Sequence, residues 1–290
     1  MNIPWRLKST IFALIDFFNV PSLLYFLQKY ATGRSKKGSL QISPIWKAHK
    51  RYLNQYHSTE NIFEFGAGKS LGQNLFISDI VTNQTVVDLN PMIDFGLVDS
   101  ARSQISKLIV LRSTSEISCL DELSRYGIEY RAPYDASKTD FSEKSLSACI
   151  STNTLEHIPK ESITKIFSEL FRILKEDGIV SARIDYSDHY AHTDKSISKL
   201  NYLKFNERSW KRYNHDCHYQ NRLRHYDYVE IFKKCGFLVI EEELSYACEN
   251  IPAEISEAFR DKDPTWSATS SHIVLKKFNW KSEIERMPSN

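Results

Sequence analysis

The sequence predicts one α/β domain, built on a mostly parallel sheet with helices on both faces. Short apolar runs typical of buried strands alternate with segments whose apolar residues recur every three or four positions, as in amphipathic helices. The first two runs end in turn residues, Gly66-Ala67-Gly68 and Asn90-Pro91. With 290 residues, of which 41% are hydrophobic, the chain fits one large domain with extra elements better than two independent domains.

Seven segments are predicted to be strands. They are residues 61–65, 85–89, 128–132, 146–151, 178–184, 237–244 and 272–278. Helical spacing is clearest at 44–56, 160–174 and 226–235. Residues 92–126 leave two alternatives open, a strand at 108–111 or helices alone.

Two regions are predicted to lie outside this alternation. Residues 1–43 form an N-terminal helical extension or lid, and the main domain spans residues 44–290. Residues 186–225, between the fifth and sixth strands, are too long for a simple connection, so we expect a substrate-recognition insert there. The alternative for this insert is an ordinary amphipathic lid.

The N-terminal apolar stretch is not predicted to span a membrane, because Asp16, Asn19 and Pro21 interrupt it. It also lacks a small-residue signal cleavage site. The alternative to packing on the domain is peripheral membrane contact, since basic residues flank the stretch. They are Arg6, Lys8, Lys29, Arg34, Lys36 and Lys37.

Charge and cysteine content exclude several classes of protein. The formal net charge is only +2, so the chain lacks the basic field of an obligate nucleic-acid binder, and a nucleic-acid partner is not expected. The five cysteines form no CxxC pair, which argues against a zinc knuckle and a disulfide framework and favours a cytoplasmic location. They are Cys119, Cys149, Cys217, Cys235 and Cys248.

The glycine turn after the first strand is the first candidate ligand site. Glycines there let the backbone approach a ligand closely, and Asp88 ends the next strand, where a carboxylate can accept hydrogen bonds from ribose hydroxyls. NAD and S-adenosylmethionine both fit this pattern, and a purely structural turn would show it too. A P-loop does not fit, because Phe63 stands where that motif requires glycine.

Further motifs follow in order along residues 61–184, and more loosely to the last strand. The chain resembles class I S-adenosylmethionine-dependent methyltransferases of the methyltransferase type 11 group. The segments that carry the resemblance are Glu64-Phe65-Gly66-Ala67-Gly68, Val87-Asp88, Tyr134-Asp135-Ala136, Ser151-Thr152-Asn153-Thr154-Leu155-Glu156-His157-Ile158 and Leu174-Lys175-Glu176-Asp177-Gly178. Dehydrogenases share only the first two motifs. The chain departs from the family at Glu176-Asp177 and at Lys69-Ser70, where the family often has Thr-Gly.

The resemblance implies a Rossmann-like class I methyltransferase fold with seven strands, the last of them antiparallel. It also implies S-adenosyl-L-methionine as cofactor. The residues that would bind it are Glu64, Gly66, Ala67, Gly68, Asp88, Leu89, Asp135, Ala136, Asn153, Thr154 and Leu155.

Candidate catalytic residues lie after the fourth and fifth strands. Histidine titrates near neutrality and suits removal of a hydroxyl proton, so His189 is predicted to be the base. Asp188 would either orient it or share the substrate's hydrogen bonds. His157 is a second candidate, although in the family it commonly shapes the cofactor pocket. Asp188, His189 and His192 carry ligand atoms for a divalent ion, but no fourth ligand stands at a short spacing, so no metal site is predicted.

Arginines beside aromatic residues in the insert can hold a sugar or phosphate, or stack on RNA. The predicted substrate-binding residues are Tyr186, His192, Arg222 and Arg224. We expect O-methylation of a small-molecule or glycan acceptor, because of the histidine-rich loop, the aromatic and basic insert and the absence of a recognisable RNA-binding appendage. The resemblance extends to methyltransferases of polysaccharide biosynthesis, and the absence of an NPPY-like motif after the fourth strand disfavours amino-group methylation of adenine or glutamine. The alternatives are an RNA or protein methyltransferase and a non-catalytic Rossmann-like binding protein.

Overall fold

Seven strands form one sheet in the computed structural model, which describes residues 3–20, 42–247, 251–260 and 263–278. The strands are β1 (Asn61–Phe65), β2 (Asn83–Val87), β3 (Ile128–Arg131), β4 (Leu146–Thr152), β5 (Leu174–Asp185), β6 (Phe237–Tyr246) and β7 (Ala268–Lys277). Their order is β3-β2-β1-β4-β5-β7-β6, and β7 runs antiparallel to both its neighbours. The predicted Rossmann-like α/β fold with an antiparallel last strand is confirmed.

The helices among the described residues are α1 (Trp5–Phe17), α2 (Pro44–Gln55), α3 (Gly72–Ile77), α4 (Phe95–Ile105), α5 (Lys160–Ile173), α6 (Glu207–Trp210) and α7 (His225–Lys234). Short 3-10 segments occupy Leu120–Tyr126, Leu155–His157, His189–His192, Asn201–Lys204, Asp216–His218 and Pro264–Ser267. The open region 92–126 therefore contains α4 and a 3-10 turn, with no strand at 108–111.

Helices cover both faces of the sheet because each buries an apolar stripe. On one face, α5 buries Ile163, Phe167 and Leu170, and Phe167 lies 4.3 Å from Phe232 of α7, measured between ring centroids. The opposite face packs against α2, α3 and α4. Helix α2 begins sharply because Ser43 caps it, accepting a hydrogen bond from the Ile45 N–H, and Pro44 occupies its first position.

Strand β5 begins earlier than predicted. Leu146 pairs with Leu174, but Ala148 pairs with Ile179, so residues 175–178 loop out of the ladder between these pairs. Residues 174–177, which precede the predicted fifth strand at 178–184, thus belong to β5, where 175–178 form a bulge rather than a break.

Helix α1 packs on the insert. Phe12 and Ile15 share an apolar cluster with Tyr190, Leu203 and Trp210. The Trp5 N–H donates to Asp194 at 2.8 Å, and the Asp16 carboxylate accepts from the Cys217 N–H at 3.1 Å. These contacts join the first described helix to a segment about 200 positions away.

Exposed apolar side chains lie on the outer face of α1, as Leu14 and Phe17, and directly after it, as Phe18. Within the described ranges, no helix has both the length and the apolar character needed to cross a bilayer. Lys29, Arg34, Lys36 and Lys37, which suggested peripheral membrane contact, lie outside the described residues, as does Cys248. The other four cysteines are free thiols.

Candidate active site

The sheet opens a crevice where its strand order reverses. β1 pairs with β2 on one side and β4 on the other, so the connections leaving their carboxyl ends diverge and expose the edge between them. This is the position where open α/β sheets bind ligands. Gly66 follows β1 and Asn153 follows β4, which places both motifs at this opening.

A cavity of about 660 Å³ fills the crevice. Eight of the predicted cofactor-binding residues line it, namely Gly66, Gly68, Asp88, Leu89, Asp135, Ala136, Asn153 and Thr154. Other lining residues lie outside the motifs recognised in the sequence, among them Met92, Ser162 and Lys165. The cavity volume lies within the range of small-molecule and cofactor pockets.

The glycine turn is held in contact with the end of β4. Gly66 has φ +77°, and a Cβ there would lie 2.3 Å from Thr154 Cγ2, so only glycine fits without displacing Thr154. The Thr154 hydroxyl donates to the Gly66 carbonyl at 3.2 Å. Gly68 has φ +73° and open space where a Cβ would be, which leaves room for a ligand against the backbone.

Asp88 is held from a neighbouring strand. The Tyr130 hydroxyl on β3 donates to its carboxylate at 2.9 Å, and burial raises the pKa of Asp88 while this hydrogen bond lowers it. One carboxylate oxygen therefore has a fixed direction before any ligand arrives. Sequence reasoning missed Tyr130, because the pairing of β2 with β3 that brings it there is not visible in a motif.

Three predicted cofactor contacts lie elsewhere. Leu155 is fully buried in the core under α5, and Ala67 packs at the edge of the opposite core. Glu64 is buried and accepts hydrogen bonds from Gln73 at 3.0 Å and Asn74 at 2.6 Å. None of the three lines the cavity.

The burial of Glu64 leads us to expect that the free energy of unfolding depends on pH. Burial, only partly offset by hydrogen bonds from Asn74 and Gln73, raises its pKa to about 7. Because the folded-state pKa exceeds the unfolded value, its stabilising contribution is complete below that unfolded value and is lost as pH rises through about 7. We expect Glu64→Gln to remove this loss, which amounts to about 3 kcal/mol for a shift of this size.

Urea unfolding of the wild type and Glu64→Gln at pH 5.5 and pH 8 measures the effect. The wild type should lose stability relative to the variant between these two pH values. A constant difference would show that Glu64 is ionised throughout the range.

A second cavity, of about 470 Å³, adjoins the first, and we call it the histidine chamber. The two cavities share Asn153 and His157. Its remaining lining residues come from α1, the end of β5, the insert and the 3-10 turn after β4, and are Lys8, Glu156, Asp185, His189, His192, Asp216, Cys217, His218 and Tyr219.

His189 lies at the centre of the chamber. Its ring centroid is 4.9 Å from that of His157 and 4.8 Å from that of His192. Burial and the neighbouring His157 lower its pKa to about 3, so the imidazole is neutral near pH 7. Its Nε2 is buried and has no hydrogen-bond partner among the described residues.

The acid beside His189 is Asp185 rather than the predicted Asp188. Asp185 Oδ2 lies 3.6 Å from His189 Nε2 and 3.3 Å from His192 Nε2. Burial favours the protonated acid, but hydrogen bonds from His192 and Ser187 outweigh it and lower the pKa of Asp185 to about 2. The Asp185 carboxylate is therefore ionised and lies beside the imidazoles of His189 and His192.

Asp188 has a structural role instead. It is fully buried, and its carboxylate accepts from the Tyr190 N–H at 2.8 Å and from the Asn201 side chain at 3.0 Å. It therefore caps the 3-10 turn that carries His189 and His192. The prediction that Asp188 orients the His189 ring directly is wrong, because its side chain is used inside the insert.

Three of the four predicted substrate-binding residues are also internal. Tyr186 is buried, and its hydroxyl bonds to Ser271 at 2.7 Å. Arg222 donates to the carbonyls of Tyr202 and Phe205 and to Glu207. These side chains hold the insert together, and only His192 lines the chamber.

Arg224 is the most deeply buried of these side chains, with no exposed surface. It donates to the carbonyls of Trp266, Tyr186 and Ala268 and to the Tyr202 hydroxyl. We expect Arg224→Met to lower the free energy of unfolding by about 3 kcal/mol or more, because three buried carbonyls lose a charged donor. Denaturant unfolding measures this.

The exposed Arg208 on α6 provides the matched control, and Arg208→Met should change stability by less than about 0.5 kcal/mol. An Arg224→Met protein with wild-type stability but impaired acceptor binding would restore the substrate-binding role that the sequence predicted.

Sequence reasoning missed several chamber residues. Glu156 lies inside a recognised motif but was not singled out, and Asp185 directly follows the predicted fifth strand. His218 could have been noticed only because it is a histidine in the insert. Nothing in the sequence connected Lys8 with the chamber, because it lies on α1, far from the other lining residues along the chain. Its ammonium donates to the His189 carbonyl at 3.4 Å.

The strand order, the antiparallel β7 and the cavity between the glycine turn and Asp88 define a class I methyltransferase fold. Residues 112–182 match the family model described as a methyltransferase domain. The chain is an S-adenosylmethionine-dependent methyltransferase, and S-adenosylmethionine is its cofactor. No protein with a curated function matches it.

Several solved structures share the fold. Among them is 1,6-didemethyltoxoflavin-N1-methyltransferase of Burkholderia thailandensis, with 12% identity and a TM-score of 0.49 over 90% of this chain and 89% of that one. A methyltransferase from Clostridium acetobutylicum has 11% identity and a TM-score of 0.48 over 89% and 98% of the two chains. The YcgJ protein of Bacillus subtilis has 14% identity and a TM-score of 0.46 over 80% and 99%. Similarity this low carries no information about the acceptor.

Proposed function

We propose that this methyltransferase transfers the methyl group to a hydroxyl of a small polar acceptor, of sugar or comparable type, bound in the histidine chamber. The observation that carries the proposal is the shared wall of the two cavities, formed by Asn153 and His157. With the ribose on Asp88, the methionine end of the cofactor would extend toward this wall. A chamber that begins there is suited to hold the acceptor.

The reaction requires alignment and the loss of one proton. The acceptor oxygen attacks the methyl carbon while the carbon–sulfur bond breaks, giving the methyl ether, S-adenosylhomocysteine and a proton. The electron pair of the broken bond neutralises the sulfonium. The protein supplies proximity and a proton acceptor, and no covalent enzyme intermediate is needed.

The lining of the chamber favours a hydroxyl acceptor. Neutral His189 and anionic Asp185 can accept hydrogen bonds from hydroxyl groups, and Lys8 can donate one. A hydroxyl group needs such a base because its own pKa is far above neutrality. An amine is already a nucleophile in its neutral form, so it needs no base beyond the loss of its ammonium proton. This supports O-methylation over N-methylation.

The size of the chamber and its position under α1 favour a small acceptor over a polymer. A volume of about 470 Å³ suits a monosaccharide or a molecule of similar size. RNA or protein would need an extended groove, whereas α1 packs against the 3-10 segments His189–His192 and Asp216–His218, beside the chamber. A glycan acceptor would place its terminal sugar in the chamber, consistent with a role in polysaccharide biosynthesis.

Transfer of a labelled methyl group tests the proposal. The enzyme is incubated with methyl-labelled cofactor and, separately, with sugar glycosides, catechols, matched amino compounds, RNA and a protein mixture, and the products are identified by mass spectrometry. We expect methyl ethers from hydroxyl compounds and no transfer to the others. Methylation confined to amines, RNA or protein would contradict the proposal.

A further inference from the structure

The carboxylate of Glu156 is buried without a hydrogen-bond partner among the described residues. The residue is 2% exposed, it lines the histidine chamber, and neither carboxylate oxygen has a hydrogen-bond partner in the described part of the chain. A buried polar group without a partner is costly, and a bound water, ion or ligand is one way to satisfy it.

Two imidazoles place ligand atoms close to this carboxylate. His157 Nδ1 donates to the Tyr219 carbonyl at 2.9 Å, when that nitrogen carries the proton, which leaves the Nε2 lone pair available. His189 Nε2 is the other buried atom without a partner. The ligand atoms of Glu156, His157 and His189 all lie within 4.8 Å of one another.

We propose that Glu156, His157 and His189 bind a divalent cation in the histidine chamber. Two imidazoles and one carboxylate form a ligand set that suits Mn²⁺, Fe²⁺, Co²⁺ or Zn²⁺ better than Mg²⁺, which prefers oxygen ligands. The Tyr219 carbonyl fixes the His157 ring, as the outer partners of metal-bound histidines do. The assignment replaces the sequence expectation of no metal.

A neighbouring group, Asp185, His189 and His192, has similar spacing but fits a cation less well. Asp185 already accepts from the Ser187 N–H and hydroxyl, and His192 Nε2 already contacts Asp185 and Ser187. Binding there would break existing bonds, whereas Glu156 has none to lose. We therefore place Asp185 and His192 beside the ion rather than on it.

The role of the ion rests on the proposed function. Glu156, His157 and His189 would hold the ion, which would lower the pKa of a bound acceptor hydroxyl and so supply the oxygen nucleophile near neutral pH. The hydroxyl proton would be released to solvent, which reaches the chamber beside the partly exposed His192. His189 then acts by holding the ion, not by taking the proton itself.

Manganese binding to chelator-treated enzyme loaded with S-adenosylhomocysteine tests the site without any acceptor. We expect one Mn²⁺ per chain by titration with electron paramagnetic resonance detection. Glu156→Gln, His157→Gln and His189→Asn should each weaken binding by about 100-fold, at least as much as loss of an outer-shell partner costs. His218→Asn, in the same chamber but outside the ligand set, should bind Mn²⁺ as the wild type does.

Retained S-adenosylhomocysteine affinity shows that each variant is folded. Wild-type protein that does not bind Mn²⁺, Co²⁺ or Zn²⁺ overturns the site, and so does loss of binding in His192→Asn with retention in His157→Gln. The two proposals fail separately. Hydroxyl methylation that persists in chelator overturns the cation's role alone, and metal binding without hydroxyl methylation overturns the proposed function alone.

Discussion

Asp88→Ala is expected to weaken S-adenosylmethionine binding by about 100-fold. A carboxylate that accepts from both ribose hydroxyls makes two charge-assisted hydrogen bonds, each worth about 1.5 kcal/mol or more, and every 1.4 kcal/mol is tenfold in affinity. Asp88 is also held in place before binding by Tyr130, so little ordering cost offsets the gain. Isothermal titration calorimetry measures the dissociation constants.

A graded pair of variants makes this test specific. Tyr130→Phe keeps the carboxylate but removes the hydrogen bond that orients it, so we expect a loss of about 3- to 10-fold, the size of one ordinary hydrogen bond. Asp121→Ala changes an exposed carboxylate in the 3-10 turn before β3 and should bind as the wild type does. An unchanged affinity in Asp88→Ala would place the ribose elsewhere.

His189→Ala is expected to lower kcat by about 100-fold or more while S-adenosylmethionine affinity stays the same. His189 lines the chamber but not the cofactor cavity, so the two measurements should separate. The loss of kcat is expected whether the imidazole takes the proton or holds an ion that activates the hydroxyl. Single-turnover rates with saturating cofactor, together with calorimetry, provide the comparison.

His57 offers a matched control. It is exposed, has φ +52° and precedes β1 at the end of the sheet opposite the crevice. Asparagine tolerates this left-handed conformation, so His57→Asn should leave kcat and cofactor affinity unchanged. A His189→Ala enzyme with a wild-type rate would move the chemistry out of the histidine chamber.

Much of the fold could be predicted from local sequence. Buried parallel strands are short apolar runs that end in turn residues, as β1 shows, and α5 carries a regular apolar stripe. The bulge at residues 175–178 could not be predicted in this way. It depends on register with β4, which is a property of two distant segments.

The cofactor cavity was predictable for a related reason. Gly66, Asp88 and Asn153 each follow a strand, and the ends of parallel strands meet at one edge, so their order along the chain implies their proximity. Motif membership alone did not separate the residues that line the cavity from those that lie behind it, such as Glu64, Ala67 and Leu155. Glu64 bonds to α3 side chains, and Leu155 packs in the core, so both support the motif without facing the ligand.

The histidine chamber was only partly predictable. His157 and His189 were singled out, but Asp188 was chosen over Asp185 because it is adjacent to His189 in sequence. In the 3-10 turn His189–His192 the Asp188 side chain faces the backbone, and Asp185 lies beside the imidazole rings. Arg222 and Arg224 looked like ligand-binding residues because arginine is seldom buried. Here backbone carbonyls from the insert, and for Arg224 also from the segment before β7, satisfy their donors.

A crystal structure with S-adenosylhomocysteine tests the central claim, that the methyl donor faces the histidine chamber. We expect the ribose hydroxyls on Asp88 and the sulfur beside Asn153 and His157, with an open path from the sulfur to His189. A sulfur atom directed away from that shared wall, or separated from the chamber by protein, would contradict this arrangement.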